Sequence, residues 1–434
     1  MDQREVSHQK AAILGLQHLL AMYSGAVAVP LLIGTALKFS PEQMTYLVSI
    51  DIFMCGLATL LQLVTTKFWG IGFPVILGCA IQAVAPLQMI GHKFSINNMY
   101  GAIIVAGIFV ILIAGFFAKI KKFFPPVVTG TLITTIGLTL IPVAIQNMGG
   151  GNAAAKDFGS SQNLLLAFCT MFIILALEIW TNGFLQSISV LIGLISGTLI
   201  AACLNRVSFT PVIAASWFHL PQLFYFGAPH FEWSSSLTMI IIALVSMVES
   251  TGVFFATGDL IKHQVSEEDL KKGYRAEGIA QILGGLFNAF PYTTFSQNVG
   301  LLQLSGIKTK RPIYWTAGLL MTMGLLPKIG ALVTIIPTPV LGGAMLVMFT
   351  MIAVQGIKTL VQVDLSNNNN ILIIALSVGL GLGVTIYPQF FHNLPATIQL
   401  FLNNGIVITS LSATILNLLL NGAKSENSLT ANQI

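Results

Sequence analysis

The stretch PYTTFSQNVGLLQLSG, residues 291–306, decides the fold. It is short and rich in Thr, Ser, Gln and Asn, yet it lies in a chain that is otherwise almost entirely apolar. A second irregular stretch, GIGFPVILGCAIQAVAP at 70–86, is broken by Gly72, Pro74, Gly78 and Pro86. Irregular backbone facing lipid would leave its N–H and C=O groups unpaired, so such pieces must be buried in protein or line a cavity. The chain around them is hydrophobic at 55% of its residues and charged at only 8%, against about 25% charged for a soluble domain. Between Ala11 and Ala118 the charged side chains are Lys38, Glu42, Asp51, Lys67 and Lys93 alone. A soluble globular protein needs polar surfaces that this sequence does not supply.

Apolar runs of roughly 20 residues recur, the length that crosses about 30 Å of hydrocarbon. The predicted spans are 11–34, 43–65, 74–90, 100–119, 125–147, 163–182, 186–205, 236–257, 277–291, 293–306, 312–327, 337–357, 370–387 and 405–421. The opening apolar run continues to Gly34 without a small-residue cleavage site and reads as the first span, not a signal peptide. With the N-terminus inside, 14 crossings place 15 of the 20 Lys and Arg residues in the cytoplasm, Arg4, Lys121, Lys122 and Lys424 among them. Only Lys38, Lys93, Lys156, Arg206 and Lys328 fall outside, as the positive-inside rule requires. Dropping either broken stretch as a crossing inverts the intervening loops and spoils this bias. The net charge of +5 is thereby explained by topology, with no nucleic-acid partner.

The broken stretches are the third and tenth spans, the same place in two halves of seven near 11–205 and 236–421. An odd number per half gives the halves opposite orientation. Paired broken segments at matching positions of inverted halves mark the substrate site of a secondary carrier. The linker 206–235, with Trp217, Phe218, Phe224, Tyr225, Phe226 and Trp233, is expected at the outer interface. The loop 259–276 reads as a solvated cytoplasmic connection. Cys55, Cys79, Cys169 and Cys203 lie in apolar segments without metal-ligand spacing and read as small core residues.

Ionisable groups inside a membrane are costly and mark function. Glu249 sits in the middle of the eighth span, with Ser246 and Gly252 on its face at a spacing of three. Such a carboxylate can accept two ring N–H groups of a heterocycle. Glu277, at the start of the ninth span as read here, suits a carboxyl that takes up a proton and binds substrate; a negative charge serving a helix start is the alternative. His18, beside Gln17 in the first span, reads chiefly as structural support with proton relay as the rival role. Asp51 reads chiefly as a helix–helix ligand with membership of a proton relay as the rival role, and Glu178 as snorkelling to the interface. Gln297 and Asn298 offer paired donors and acceptors suited to a purine or pyrimidine edge. Gly300 after them permits close backbone approach.

Gln297-Asn298-Val299-Gly300 followed by Ser305-Gly306 resembles the signature of the nucleobase–ascorbate transporter (nucleobase:cation symporter) family. The Gln17-His18 pair, Glu249, and an acidic residue 20 positions before Gln297 fit the same pattern. FFPPVVTGTLITTIGLTLIPVAIQNMGG and GYRAEGIAQILGGLFNAFPYTTFSQNVG look most like bacterial xanthine permeases. Ser305 stands where the family usually has Thr, and Glu277 where many members have Asp. The resemblance implies an all-α polytopic protein of two inverted seven-segment repeats, with short strands in segments 3 and 10. It implies a core domain at 11–122 and 236–330 and a gate domain at 123–235 and 331–421, flanked by cytoplasmic termini at 1–10 and 422–434. It further implies a non-enzymatic, proton-coupled importer of xanthine or a related oxidised purine, without cofactor or metal. The expected setting is the cell membrane, as a homodimer through the gate domains. Carried over by position, Glu249, Glu277, Gln297, Ala276 and Ala80 bind substrate, with Cys79 to Ile81 nearby. Asn298, Gly300, Ser305, His18 and Gln17 set specificity or support, and Glu277, His18 and Glu249 couple protons. Rival readings are a uracil permease of the family, a sulphate-permease-like anion carrier, an intramembrane enzyme and a channel. Two carboxylates disfavour the anion carrier, and no HExxH, GxSxG or paired-Asp motif supports an enzyme.

Overall fold

The computed structural model describes residues 7–120, 125–295, 297–306, 308–394, 399 and 402–422. Arg4, Lys121, Lys122 and Lys424 of the charge count fall outside these residues, as does the side chain of Gln297. The first half comprises α1 (His8–Ala36), α2 (Pro41–Leu63), β1 (Leu77–Cys79), α3 (Val84–Lys93), α4 (Ile96–Ile120), α5 (Pro126–Met148), α6 (Ser161–Trp180) and α7 (Ser189–Cys203). The second comprises α8 (Trp233–Ile261), α9 (Glu267–Leu286), β2 (Tyr292–Thr294), α10 (Gln297–Ser305), α11 (Arg311–Gly324), α12 (Thr338–Leu360), α13 (Asn368–Ile386) and α14 (Gly405–Leu420). Each half presents seven crossings, the third of each being a short strand joined to a half-helix.

Helix starts are written locally. The Ser40 hydroxyl accepts from the Gln43 N–H while the Gln43 side chain accepts from the Ser40 N–H, with Pro41 at the first helical position. Ser266 and Asp269 form the same reciprocal cap on α9. That cap corrects the predicted ninth span. The helix begins at Glu267, ten residues before the expected start, because the cap and three acidic residues suit its positive N-terminal end. Most of the loop expected at 259–276 is therefore helical, and Glu277 lies in mid-helix instead of at a helix start.

Among the described residues, eight helices are long and apolar enough to span a bilayer alone: α1, α2, α4, α5, α6, α8, α12 and α13. The other crossings are the two broken ones, the shorter α7 and α14, α9 with its polar first turns, and α11. The latter is followed by a short helix, Pro327–Thr334, bent 80° away from it.

Two sets of contacts verify the alternation of faces. The linker after α7 hydrogen-bonds Leu325, Leu286, Asn97 and Tyr46 through His219, Phe224, His230 and Gln222 respectively. Asn97 is predicted in an outer loop, and Tyr46, Leu286 and Leu325 in the outer halves of their spans. Tyr225 stacks on Tyr46 at 3.8 Å between ring centroids, fastening the linker there. At the opposite end, Gly70 donates to the Lys272 carbonyl, Gln62 to the Gly273 carbonyl, and Arg275 lies 4.1 Å over the Phe68 ring.

Helices α1–α4 and α8–α11 pack chiefly among themselves, and α5–α7 and α12–α14 likewise, giving a core and a gate. Apolar transfer does not separate a packed helix from lipid, so close backbone approach must hold the helices together. At the α5–α12 crossing a Cβ on Gly356 would run into the Thr134 backbone, and one on Gly137 into that of Ala353. Gly356→Val is expected to cost about 1–3 kcal/mol by overpacking. A lower apparent melting temperature in detergent checks this, with Gly379→Ala, where a Cβ meets nothing within 4 Å, as the unaffected control.

Exposed cysteine was not anticipated. Cys55 and Cys79 are buried as expected, but Cys203 is exposed and Cys169 half-buried, because the outer faces of α6 and α7 meet lipid, not protein. Glu178 does not simply snorkel: its carboxylate accepts from the Ser189 hydroxyl at the start of α7.

Candidate functional site

The broken crossings meet as an antiparallel strand pair, Leu77 opposite Thr294, Gly78 opposite Thr293 and Cys79 opposite Tyr292. Proline and glycine prevent helix here, so the backbone must find partners elsewhere. Ala80 donates to the Pro291 carbonyl, Phe295 to that of Ile76, Leu77 to the Thr59 hydroxyl, and Thr294 to the Ser250 hydroxyl. The ring of Phe295 is wedged between Gly25 of α1 and Gly78 of β1, at positions where any Cβ would collide with it. Each half-helix starts just beyond its strand, so both N-termini, with their partial positive charge, face the pair.

Beneath the pair, Asp51 of α2 braces both strands. Its carboxylate accepts from Cys79 of β1 and, at 3.1 Å, from Tyr292 of β2, with the Cys55 thiol 3.9 Å away. Asp51, Cys79 and Tyr292 are all fully buried. The ligand atoms of Asp51, Cys55 and Cys79 lie within 4.8 Å of one another, a spacing a soft metal could use. The hydrogen bonds among them already account for the arrangement.

Glu249 is half-buried on α8, the helix that packs on β2 and α10. Its carboxylate accepts from the Gln82 amide at 3.0 Å, and the same nitrogen donates to Ser246 at 2.8 Å. The Thr293 hydroxyl also reaches the Glu249 carboxyl and pairs with Ser250 at 3.1 Å. On α8 three residues further on, Gly252 is exposed, and a Cβ there would meet nothing within 4 Å. This is the polar, small-residue stripe expected from the sequence. Gln82, Ser250 and Thr293 were not anticipated. The signal for Gln82 was an amide immediately after the Gly78 break, and for Ser250 its adjacency to Glu249.

Glu277 and Ala276 of α9 are fully buried, and the Glu277 carboxyl makes no close hydrogen bond, with the Ser250 hydroxyl within reach of it. Glu277 lies within electrostatic reach of Glu249. Asn298 ties α10 to α1: its amide nitrogen lies 3.2 Å from both the Nδ1 and the backbone carbonyl of His18. That leaves its buried Oδ1 unpartnered. Ala80 is buried at the end of β1. Ser305 donates to the Leu302 carbonyl in the last turn of α10, and Gln17 is half-buried beside His18. A Cβ on Gly300 meets nothing within 4 Å, the residue being on the exposed side of α10. A cavity of about 460 Å³ lies on α1 and α11 around His8, Arg311 and Tyr314. Its lining contains no carboxylate.

Inverted halves whose broken third segments cross beside a membrane-buried carboxylate define a secondary carrier. Residues 9–390 match the permease family designated Xan_ur_permease, and the chain belongs to that family. It is 54% identical to "Xanthine permease" of Bacillus subtilis (strain 168), over 95% of this chain and 94% of that one. It is 52% identical to "Uric acid permease PucK" of the same organism, over 93% and 94%. With "Nucleobase transporter PlUacP" of Paenibacillus larvae the identity is 51%, over 94% of each. In fold it is similar to the transmembrane domain of the cyanobacterial bicarbonate transporter BicA, with a TM-score of 0.60 and 16% identity over 94% of this chain and 97% of that. Murine Slc26a9, an anion transporter in the inward-facing state, also gives a TM-score of 0.60, at 11% identity over 94% and 68%. The likeness to both is one of fold, with a core and a gate. The chain is a transporter and not an enzyme.

Proposed function

We propose that this chain imports xanthine or a closely related oxidised purine such as uric acid, in symport with protons, by alternating access of the core against the gate. The observation that carries the reading is Glu249, a half-buried carboxylate in the middle of α8 held against the strand pair by Gln82 and Thr293. The names of the relatives above support a nucleobase over other solutes. An oxidised purine offers adjacent N–H and C=O groups. Its N–H groups suit the Glu249 carboxylate, and one of them also suits the unpartnered Asn298 oxygen. The half-helix N-termini favour its carbonyl oxygens. Gln297, at the first position of α10, belongs to the same rim in this reading. The carrier sits in the cell membrane with both termini cytoplasmic and pairs through its gate domains, as the family resemblance implies.

Glu277 takes the proton. An unpaired buried charge costs several kcal/mol, and a proton on the carboxyl removes that cost. Glu277→Gln is therefore expected to leave xanthine binding within a few-fold of normal while removing the dependence of uptake on the proton gradient. Proteoliposome uptake with and without an imposed gradient checks this; gradient dependence that survives the substitution would assign the proton elsewhere.

A further inference from the structure

The Gln82 side chain presents a primary amide, N–H beside C=O, the same pair of groups found on the lactam edge of an oxidised purine. Its nitrogen spans Ser246 and Glu249 at 2.8 and 3.0 Å, and the residue is buried to 4% exposure. A carboxylate oxygen and a hydroxyl are the acceptors a ring N–H would seek on this face of α8. The backbone holds the amide in place: Ala80 is pinned to Pro291, Ala83 donates to the Ala80 carbonyl, and a 3-10 turn over Ile81–Ala83 aims the side chain across to α8. Hydrogen bonds to charged groups are about twice as strong as neutral ones, so this contact is a substantial competitor.

From this geometry we propose that Gln82 is an internal rival of the substrate: its amide holds Glu249 in the manner of a ring N–H, and a base gains both carboxylate oxygens only by displacing it. The inference rests on the reading of Glu249 as the base-binding carboxylate. Gln82 then acts as a specificity-determining residue. A base bringing two adjacent N–H donors recovers more than the displaced amide gave, whereas a ligand bringing one donor merely exchanges one hydrogen bond for another.

Gln82→Met keeps the length of the side chain and removes its donors, and Gln82→Ala removes it altogether. Equilibrium binding of labelled xanthine to purified protein is expected to tighten about 3–10-fold in both variants, because the freed amide no longer competes for a charged acceptor. In transport, KM should fall while kcat holds or drops through slower release, a split that loss of packing would not give. The Met variant guards against misfolding of the Ala variant. Binding weakened or unchanged in Gln82→Met, with the wild type binding normally, would overturn the rivalry and leave the transporter reading intact. A wild-type protein that binds no purine would sink both.

Discussion

Glu249→Gln is expected to lower purine uptake at least about 100-fold while expression and stability stay near normal. The carboxylate offers two charged acceptors to ring N–H groups, each such hydrogen bond contributing about 1.5–3 kcal/mol net. The substituted amide keeps one neutral acceptor and turns an NH2 group toward the base, donor against donor. Stability is spared because the amide oxygen can still accept from Gln82, the partner that holds the carboxylate at 3.0 Å. The measurement is initial uptake of labelled xanthine in cells, alongside quantitative membrane expression. Uptake near wild-type level would remove Glu249 from the site.

The second large effect is on folding. Asp51→Ala strips the brace under the strand pair, leaves the Tyr292 hydroxyl buried without an acceptor, and leaves the Cys79 thiol only the Ala26 carbonyl at 3.7 Å. Stranding a buried donor costs about 1–3 kcal/mol, and the cavity left behind adds to it, so about 2–5 kcal/mol is expected in all. The strands themselves are only three residues each and have little else to fix their register. Apparent melting temperature and monodispersity in detergent should both fall sharply. Asp51→Asn, which keeps an acceptor for Tyr292, should recover part of the loss. Equal, small effects from both substitutions would mean that the strand register is set by backbone pairing alone.

Much of this was legible in the chain. The 14 crossings followed from apolar length and the distribution of Lys and Arg, and both broken segments announced themselves by Pro, Gly and amides where helix was due. Glu249 was visible because a carboxylate in the middle of IIIALVSMVESTGVFFATG has no soluble explanation. The start of α9 was misplaced because hydropathy ignores a polar helix that begins in water; the Ser266–Asp269 cap was present in the sequence but was read as loop. Gln82 was passed over because its role depends on α8, which lies more than 160 residues away along the chain. Nothing local in residues 70–86 says what that amide will meet. The brace on Asp51 was half seen: burial in hydrocarbon demanded a partner, but only the strand register brings Cys79 and Tyr292 to one carboxylate.

In the proposed function the polar cluster at the strand crossing moves an oxidised purine with protons. Uptake of labelled xanthine into proteoliposomes carrying only this protein tests it most directly, with unlabelled uric acid, guanine, hypoxanthine and uracil as competitors and a protonophore in a parallel series. The account predicts uptake driven by an inward proton gradient, abolished by the protonophore, and competed by uric acid far better than by uracil. Uptake indifferent to the protonophore, or competed best by uracil, would contradict it.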